Sequence, residues 1–169
     1  MKQIIIAIAA LLLTGCEGTQ PIREADKGRP IEFVQEVPGK TKDDIFDATK
    51  VWVAENFHSA KAVIEDANKD VGRLIGNGRI DYPCDKGCVL SGRIINFTLR
   101  IDMKDGKFKT TFTNITLYTP PIRGSFNGFG EDTRSLTMQH EFDAAQTGFQ
   151  RLSDSLRTSI LAEKTKADF

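Results

Sequence analysis

Apolar and polar positions along the chain repeat with two different periods, and these periods divide it into helices and strands. Over residues 42–57 the apolar side chains lie three and four positions apart, which predicts an amphipathic helix with Trp52 as its core anchor. Thr41, followed three residues later by Asp44, is an N-cap pattern that marks the start of this helix. The same spacing over residues 142–160 predicts a second, longer helix.

Between the two helices the pattern changes to the alternation that is typical of half-buried strands. One predicted face carries Ile95, Phe97, Leu99 and Ile101. The Asp105-Gly106 pair predicts a tight hairpin, and residues 107–118 return antiparallel with a bulge or twist, because the apolar register shifts after Phe112. Short strands are predicted at 31–34 and 62–65. After a turn at 66–70, a long strand is predicted at 71–82, with bulges or bends at its glycines. This order predicts an α+β fold with helices covering one sheet face.

The N-terminus has the pattern of a secretory signal. Lys2 precedes the apolar run 4–13, which is too short to span the roughly 30 Å hydrocarbon core of a bilayer. The sequence Leu-Thr-Gly-Cys at 13–16 resembles the bacterial lipobox, which implies that residues 1–15 are removed and that Cys16 carries the acyl chains. The alternative is an ordinary secretory signal with an unrelated cysteine. The lipobox reading predicts a membrane partner through the lipid anchor.

Residues 17–30 contain few apolar side chains and two prolines, so we expect a flexible tether from residue 16 to residue 30. Residues 31–169 then form a single domain. Glu17 stands where an aspartate commonly holds lipoproteins at the inner membrane, which favours the outer membrane facing the periplasm. These features predict a lipid-anchored protein of the cell envelope.

The charge balance argues against a nucleic-acid partner. The chain has 23 basic and 23 acidic residues, and hence no global field that would attract DNA, RNA or anionic lipid. The cations Arg93, Arg100, Lys107 and Lys109 fall on the polar side of the predicted sheet, where we expect a solvated face. Stacking aromatics, which a nucleic-acid surface needs, belong to the apolar side.

Four segments together resemble a bacterial family of domains of unknown function. They are VPGKTKDDIF at 37–46, WVAENF at 52–57, GRLIGNG at 72–78 and MKDGKF at 103–108. Members of this family are often envelope lipoproteins, and their fold is similar to that of TATA-binding protein (TBP). The resemblance covers about residues 31–118 and implies a curved antiparallel sheet packed against two helices. It implies no activity, and DNA binding does not follow from the fold name.

Cys84 and Cys88 lie across a predicted turn, and in an oxidising envelope such a pair favours a disulfide. A metal site and a redox-active pair are the alternatives. A metal site would need further ligands, but His58 and His140 lack ligand spacing, and the Asp66 segment has Val71 where a calcium loop needs glycine. We therefore predict no metal and no cofactor.

No linear catalytic motif is present. Ser59 and Ser125 are candidate nucleophiles and the two histidines candidate bases, but neither serine lies in a nucleophile elbow. We therefore predict a non-enzymatic binding or interaction module. The alternative is an envelope enzyme, such as a hydrolase, whose site is assembled from dispersed residues.

The long connection at residues 119–134 is the predicted contact for an envelope protein partner, because connections of this length are often functional. Phe126 and Phe129 would be its apolar anchors, with Arg123 beside them. The alternative is that both phenylalanines fold back onto the core.

Overall fold

The described residues fold as one antiparallel sheet with two α-helices on a single face. The structure, a computed structural model, describes residues 20–57, 64–83, 92–121 and 131–163. In chain order the elements are β1 (Ile31–Glu36), α1 (Lys42–Asn56), β2 (Ile64–Asn68), β3 (Arg73–Asp81), β4 (Ile94–Lys104), β5 (Lys107–Thr119), β6 (Asp132–Ser135) and α2 (Gln139–Ala162). The strand order is β1-β5-β4-β3-β2, and β6 also pairs with β5. The predicted α+β architecture is confirmed.

Aromatic rings fill the core between the sheet and the helices. Phe112 of β5 stacks on Phe149 of α2 with ring centroids 4.1 Å apart, and Phe97 of β4 meets Phe149 edge-on at 4.9 Å. The predicted alternation in β4 is confirmed by four buried side chains: Ile95, Phe97, Leu99 and Ile101. Apolar burial on one side of the sheet is therefore what brings α2 onto it.

Helix α1 begins where the sequence predicts. The Asp44 amide donates to Thr41 Oγ1 at 3.2 Å and the Thr41 amide donates to Asp44 Oδ2 at 3.2 Å, so the capping box is complete. Trp52 is buried, with 2% of its surface exposed, and its Nε1 donates to Ser155 Oγ of α2 at 3.1 Å. Its predicted role as a core anchor is confirmed.

The predicted hairpin and bulge in β5 are also present. Lys104 pairs with Lys107 across the turn, where Gly106 adopts a φ of +74°. Further along, the ladder with β4 shifts by one residue, and Asn114 at the shift has a φ of +51°. The extra residue lets the apolar side chains on both sides of the bulge face the helices.

The prediction for the segment before β3 was wrong in detail. Strand β2 lies two to three residues later than expected, and the turn after it ends at Gly72, whose φ is +68°. All five β2 residues are exposed, so this edge strand lacks the apolar pattern from which its position could be predicted. The register of β3 with β4 is continuous, whereas the register of β3 with β2 shifts between Ile64 and Asp66, opposite Gly76 and Ile75.

Two segments outside the predicted elements also join the fold. Strand β6 begins within the predicted partner-contact connection and pairs with the end of β5, from Thr116↔Ser135 to Thr119↔Asp132. Residues 20–30, expected to belong to a loose tether, instead pack on the domain. The Ile22 amide donates to the Thr137 carbonyl at 2.8 Å, and the Ile22 side chain is buried. Backbone pairing and one apolar anchor hold this segment despite its polar composition.

Candidate functional site

One edge of β5 is interrupted, and the interruption forms the candidate site. On the side opposite β4, residues 107–112 of β5 pair with β1 and residues 116–119 pair with β6. Among the described residues, 113–115 have no ladder partner on that side. This gap coincides with the bulge at Asn114, because the bulge displaces β5 between its two partners.

A cavity of about 380 Å³ lies at this gap, and we call it the gap cavity. Its walls come from the docked N-terminal segment, the bulged part of β5, the connection from β6 to α2, and the first turn of α2. The lining residues are Ile22, Asp26, Gly28, Arg29, Thr113, Asn114, Ile115, Thr116, Ser135, Leu136 and Phe142. The volume is within the range of small-molecule sites in proteins.

The more buried of the two charged side chains in the wall is that of Asp26. Its side chain is only 6% exposed and accepts a hydrogen bond from Arg23 Nε at 2.8 Å. Arg29 Nη1 lies 3.7 Å from the other carboxylate oxygen, which is ion-pair distance but longer than a hydrogen bond. The charge of Asp26 is therefore balanced by the two arginines, while one carboxylate oxygen can still accept a hydrogen bond.

Three lining residues carry hydroxyl groups that have no partner among the described residues: Thr113 and Thr116 are half-buried, and Ser135 is exposed. The side chains of Thr113, Thr116 and Ser135 make no hydrogen bond to any residue in the described part of the chain. Each hydroxyl can donate one hydrogen bond and accept others. Ile22, Ile115, Leu136 and Phe142 complete the lining with apolar surface. The cavity thus combines uncommitted hydroxyls with an apolar wall.

A buried ion cluster fixes one wall of the gap cavity. Glu141, in the first turn of α2, is 2% exposed and accepts hydrogen bonds from Arg134 Nη2 at 2.7 Å and Arg93 Nη2 at 2.8 Å. It also accepts from the backbone amides of Thr137 and Met138, at 3.1 and 3.2 Å. These contacts hold the chain that carries Ser135, Leu136 and Phe142.

The electrostatics of this cluster favour the charged carboxylate. Burial alone would raise the pKa of Glu141, but the hydrogen bonds from Arg134, the Thr137 amide, Arg93 and the Met138 amide outweigh it. The pKa is lowered from 4.5 to about 2. Glu141 is consequently ionised throughout the neutral range, and it acts on the cavity as a positioning residue.

The expectation of four solvated cations on the sheet was wrong for Arg93. Its side chain is 14% exposed, it packs 4.6 Å from the centre of the Tyr82 ring, and it pairs with Glu141. The open sheet face does carry Arg100 and Lys109, but each is paired with an acidic residue. Arg100 binds Asp102 and Lys109 binds Glu32.

The centre of the open face is uncharged. Thr98 Oγ1 donates to Asn77 Oδ1 at 2.9 Å and accepts from Asn114 Nδ2 at 3.2 Å. The polar groups in this row satisfy one another.

Several residues predicted as functional lie outside the described residues. They are Cys16, Cys84, Cys88, Arg123, Phe126 and Phe129, together with His58, Ser59 and Ser125. The acylation, disulfide and partner-contact hypotheses therefore stay predictions. His140 is exposed at the start of α2 and is not part of the cavity lining.

Within the described ranges, no group of three or more His, Cys, Asp or Glu residues could hold a metal ion. Over the same ranges, no helix has both the length and the hydropathy to cross a bilayer.

The residues of the gap cavity were missed in the sequence because no short motif contains them. Asp26 lies in a stretch that reads as a tether, and Glu141 is separated from Arg93 by 48 positions. One local signal was available for Glu141. An acidic residue at the third position of a helix commonly accepts from the N-cap amide, as Glu141 does from Met138.

The topology defines this protein as a TBP-like α+β domain. A TBP-like protein from Parabacteroides distasonis has a similar solved structure, with a TM-score of 0.61 and 14% identity, covering 80% of this chain and 94% of that one. A DUF4468 family protein from Bacteroides ovatus gives 0.57 and 12%, covering 86% and 93%.

The family described as a domain of unknown function (DUF4468) with TBP-like fold matches residues 33–118, and the chain belongs to this family. The resemblance seen in the sequence is thereby confirmed. No curated protein matches the sequence. The matched segment includes the bulge of β5 but neither the docked N-terminal segment nor α2, so it covers only one wall of the gap cavity.

Proposed function

We propose that this protein is a lipid-anchored domain of the cell envelope that binds a small ligand in the gap cavity and catalyses no reaction. The observation that carries the proposal is the set of three uncommitted hydroxyls beside a buried carboxylate, in a cavity of about 380 Å³. Thr113 and Thr116 are half-buried and Ser135 is exposed, so these hydroxyls are open to solvent and can hydrogen-bond to a ligand.

The composition of the lining supports binding over catalysis. Its polar side chains are a carboxylate, a guanidinium, an amide and hydroxyls, with no histidine, cysteine or lysine. A serine or threonine nucleophile needs a base within hydrogen-bond reach, and Ser135 has none in the described structure. The alternative, an envelope hydrolase, would need a site assembled elsewhere.

The docked N-terminal segment supports a close attachment to the membrane. Only three residues separate Cys16 from Gln20, whose carbonyl accepts a hydrogen bond from the Gln139 amide. Four residue steps of extended chain span at most about 14 Å. If Cys16 is acylated, the domain sits near the bilayer, and the tether itself supplies one wall of the binding site.

A photoreactive amino acid in place of Thr116, introduced in the native cells, tests the binding proposal. After irradiation in the envelope, intact-mass spectrometry of the purified protein should show one discrete added mass. Thr133 is the matched control, because it lies exposed on neighbouring β6 and outside the lining. Irradiation that adds no mass at Thr116, or the same masses at both positions, would contradict ligand binding in the cavity.

Anchoring is tested separately by Cys16→Ser. This variant should move from the membrane fraction to the soluble fraction while the unaltered protein remains membrane-bound. A variant that is still processed and equally membrane-bound would contradict the lipid anchor without bearing on the cavity.

A further inference from the structure

We infer that the ligand of the gap cavity is an uncharged ring bearing several hydroxyl groups, of the kind found in monosaccharides and their glycosides. The inference rests on the proposed function and names the chemistry of the same site. Three properties of the lining point to this class: its charge, its hydrogen-bonding groups and its apolar surface.

The charge of the lining favours a neutral ligand. Asp26 and Arg29 are the two charged lining residues, and their opposite charges cancel. Asp26 has in addition a hydrogen bond from Arg23, which lies outside the lining. A bound cation would compete with two guanidinium groups for one carboxylate, and a bound anion would face that carboxylate. Neither a cation nor an anion would therefore gain a net electrostatic attraction from the lining.

The hydrogen-bonding groups favour a ligand with several hydroxyls. Thr113, Thr116 and Ser135 each offer both a donor and an acceptor, so their best partners are groups that can also do both. A hydroxyl is such a group, whereas a carboxylate only accepts and an ammonium only donates. The carboxylate oxygen of Asp26 facing Arg29 at 3.7 Å can accept from a further ligand hydroxyl.

The apolar part of the lining favours a ring with a C–H face. Ile22, Ile115, Leu136 and Phe142 come from four different segments of the chain and line the same cavity as the hydroxyl-bearing residues. A sugar ring carries its hydroxyls around the edge and exposes C–H groups on its faces. It can therefore satisfy the polar side chains while burying its faces against this apolar surface.

The test uses the purified, lipidated protein in detergent and saturation-transfer NMR with defined probes. The probes are methyl α-glucoside, methyl α-galactoside and methyl α-mannoside, compared with glycine, lysine and glutamate. We expect saturation of ring protons in at least one glycoside and none in the amino acids. Thr116→Val removes one hydroxyl with little change of shape. It should weaken the binding of that glycoside about tenfold, the effect of one lost hydrogen bond.

Ser135→Ala should weaken the same glycoside to a similar extent, whereas Thr133→Val, on the same strand but outside the lining, should leave its affinity unchanged. Binding by Asp26→Asn can be interpreted only if the thermal midpoint of this variant is unchanged. The test with the two hydroxyl variants does not depend on it. Binding of an amino acid but of no glycoside would overturn the inference, as would glycoside binding that Thr116→Val and Ser135→Ala leave unaltered.

The crosslinking experiment separates this inference from the proposed function. An adduct at Thr116 whose mass is not that of a saccharide would overturn the ligand class while supporting a binding role for the cavity. The absence of any adduct would contradict the proposed function itself.

Discussion

Glu141 in the first turn of α2 accepts a hydrogen bond at 2.7 Å from Arg134, the third residue of β6, and is almost completely buried. Arg93, immediately before β4, reaches the same carboxylate. A single anionic side chain thus ties a short edge strand, a central strand and a helix N-terminus to one another. The wall of the gap cavity depends on this junction.

Glu141→Gln should lower the free energy of unfolding by about 3–5 kcal/mol, because it leaves two guanidinium groups facing a neutral amide inside the protein. Chemical denaturation followed by circular dichroism measures this loss. Glu32→Gln, on the exposed face, is the control and should cost less than about 1 kcal/mol. Equal effects of the two substitutions would contradict a structural role for the buried cluster.

The same carboxylate should make stability depend on acid. Its pKa is about 2 in the folded protein against an ordinary 4.5, so its contribution is fully present above pH 4.5 and is lost as the pH falls towards 2. The difference corresponds to about 3 kcal/mol. Between pH 5 and pH 2 the free energy of unfolding of the unaltered protein should fall by this amount, and in Glu141→Gln this part of the fall should be absent. The same pH profile in both proteins would contradict the assignment.

Gly78 leaves room for two aromatic rings. A Cβ at this position would lie 2.7 Å from the ring of Phe97 and 2.9 Å from that of Phe57. Gly78→Ala should therefore cost about 1–3 kcal/mol, as overpacking a core does. Because the obstacle is a ring, Gly78→Ala should cost less in a Phe97→Leu background. Additive effects in this double-mutant cycle, measured by denaturation, would argue against the steric explanation.

Trp52 of α1 is buried and reaches α2 through its indole N–H, which donates to Ser155. Trp52→Ala should cost about 3–5 kcal/mol because the side chain is buried. Trp52→Phe, which mainly removes the hydrogen bond to Ser155, should cost about 1 kcal/mol. Ser155→Ala should add little to Trp52→Phe if this bond is the shared cause. If the stability losses of Trp52→Phe and Ser155→Ala were fully additive, the hydrogen bond would be excluded as their shared cause.

The docked N-terminal segment should open locally when its anchor is removed. Ile22→Ser is expected to accelerate hydrogen exchange at the Ile22 and Gln139 amides, which pair with Thr137 and Gln20, while the thermal midpoint changes little. Ala25→Ser, at an exposed position of the same segment, should change neither quantity. Unaltered exchange in Ile22→Ser would show that backbone pairing alone holds the segment.

The sequence by itself determined the elements whose signals are local. The capping box at Thr41, the spacing of apolar residues in both helices, the alternation in β4 and the Asp105-Gly106 turn all act within a few residues of each other. Even the bulge of β5 was readable, because a change of face must appear as a change of apolar register. Edge strands β2 and β6 gave no such signal, since no side of them needs to be apolar.

Only the tertiary structure decided the candidate site. The gap cavity is made by segments that are up to 120 positions apart, from Ile22 to Phe142, and none of them has a distinctive sequence of its own. Residues 20–30 have the composition of a tether, but their backbone forms hydrogen bonds with the chain at the start of α2. Composition does not predict such pairing. The sequence around Arg93 is that of a solvated cation, but in the fold its side chain is half-buried against the Glu141 carboxylate, 48 residues away. Side-chain periodicity predicts which face of an element is buried, but the partners of buried charges are set by how distant elements pack.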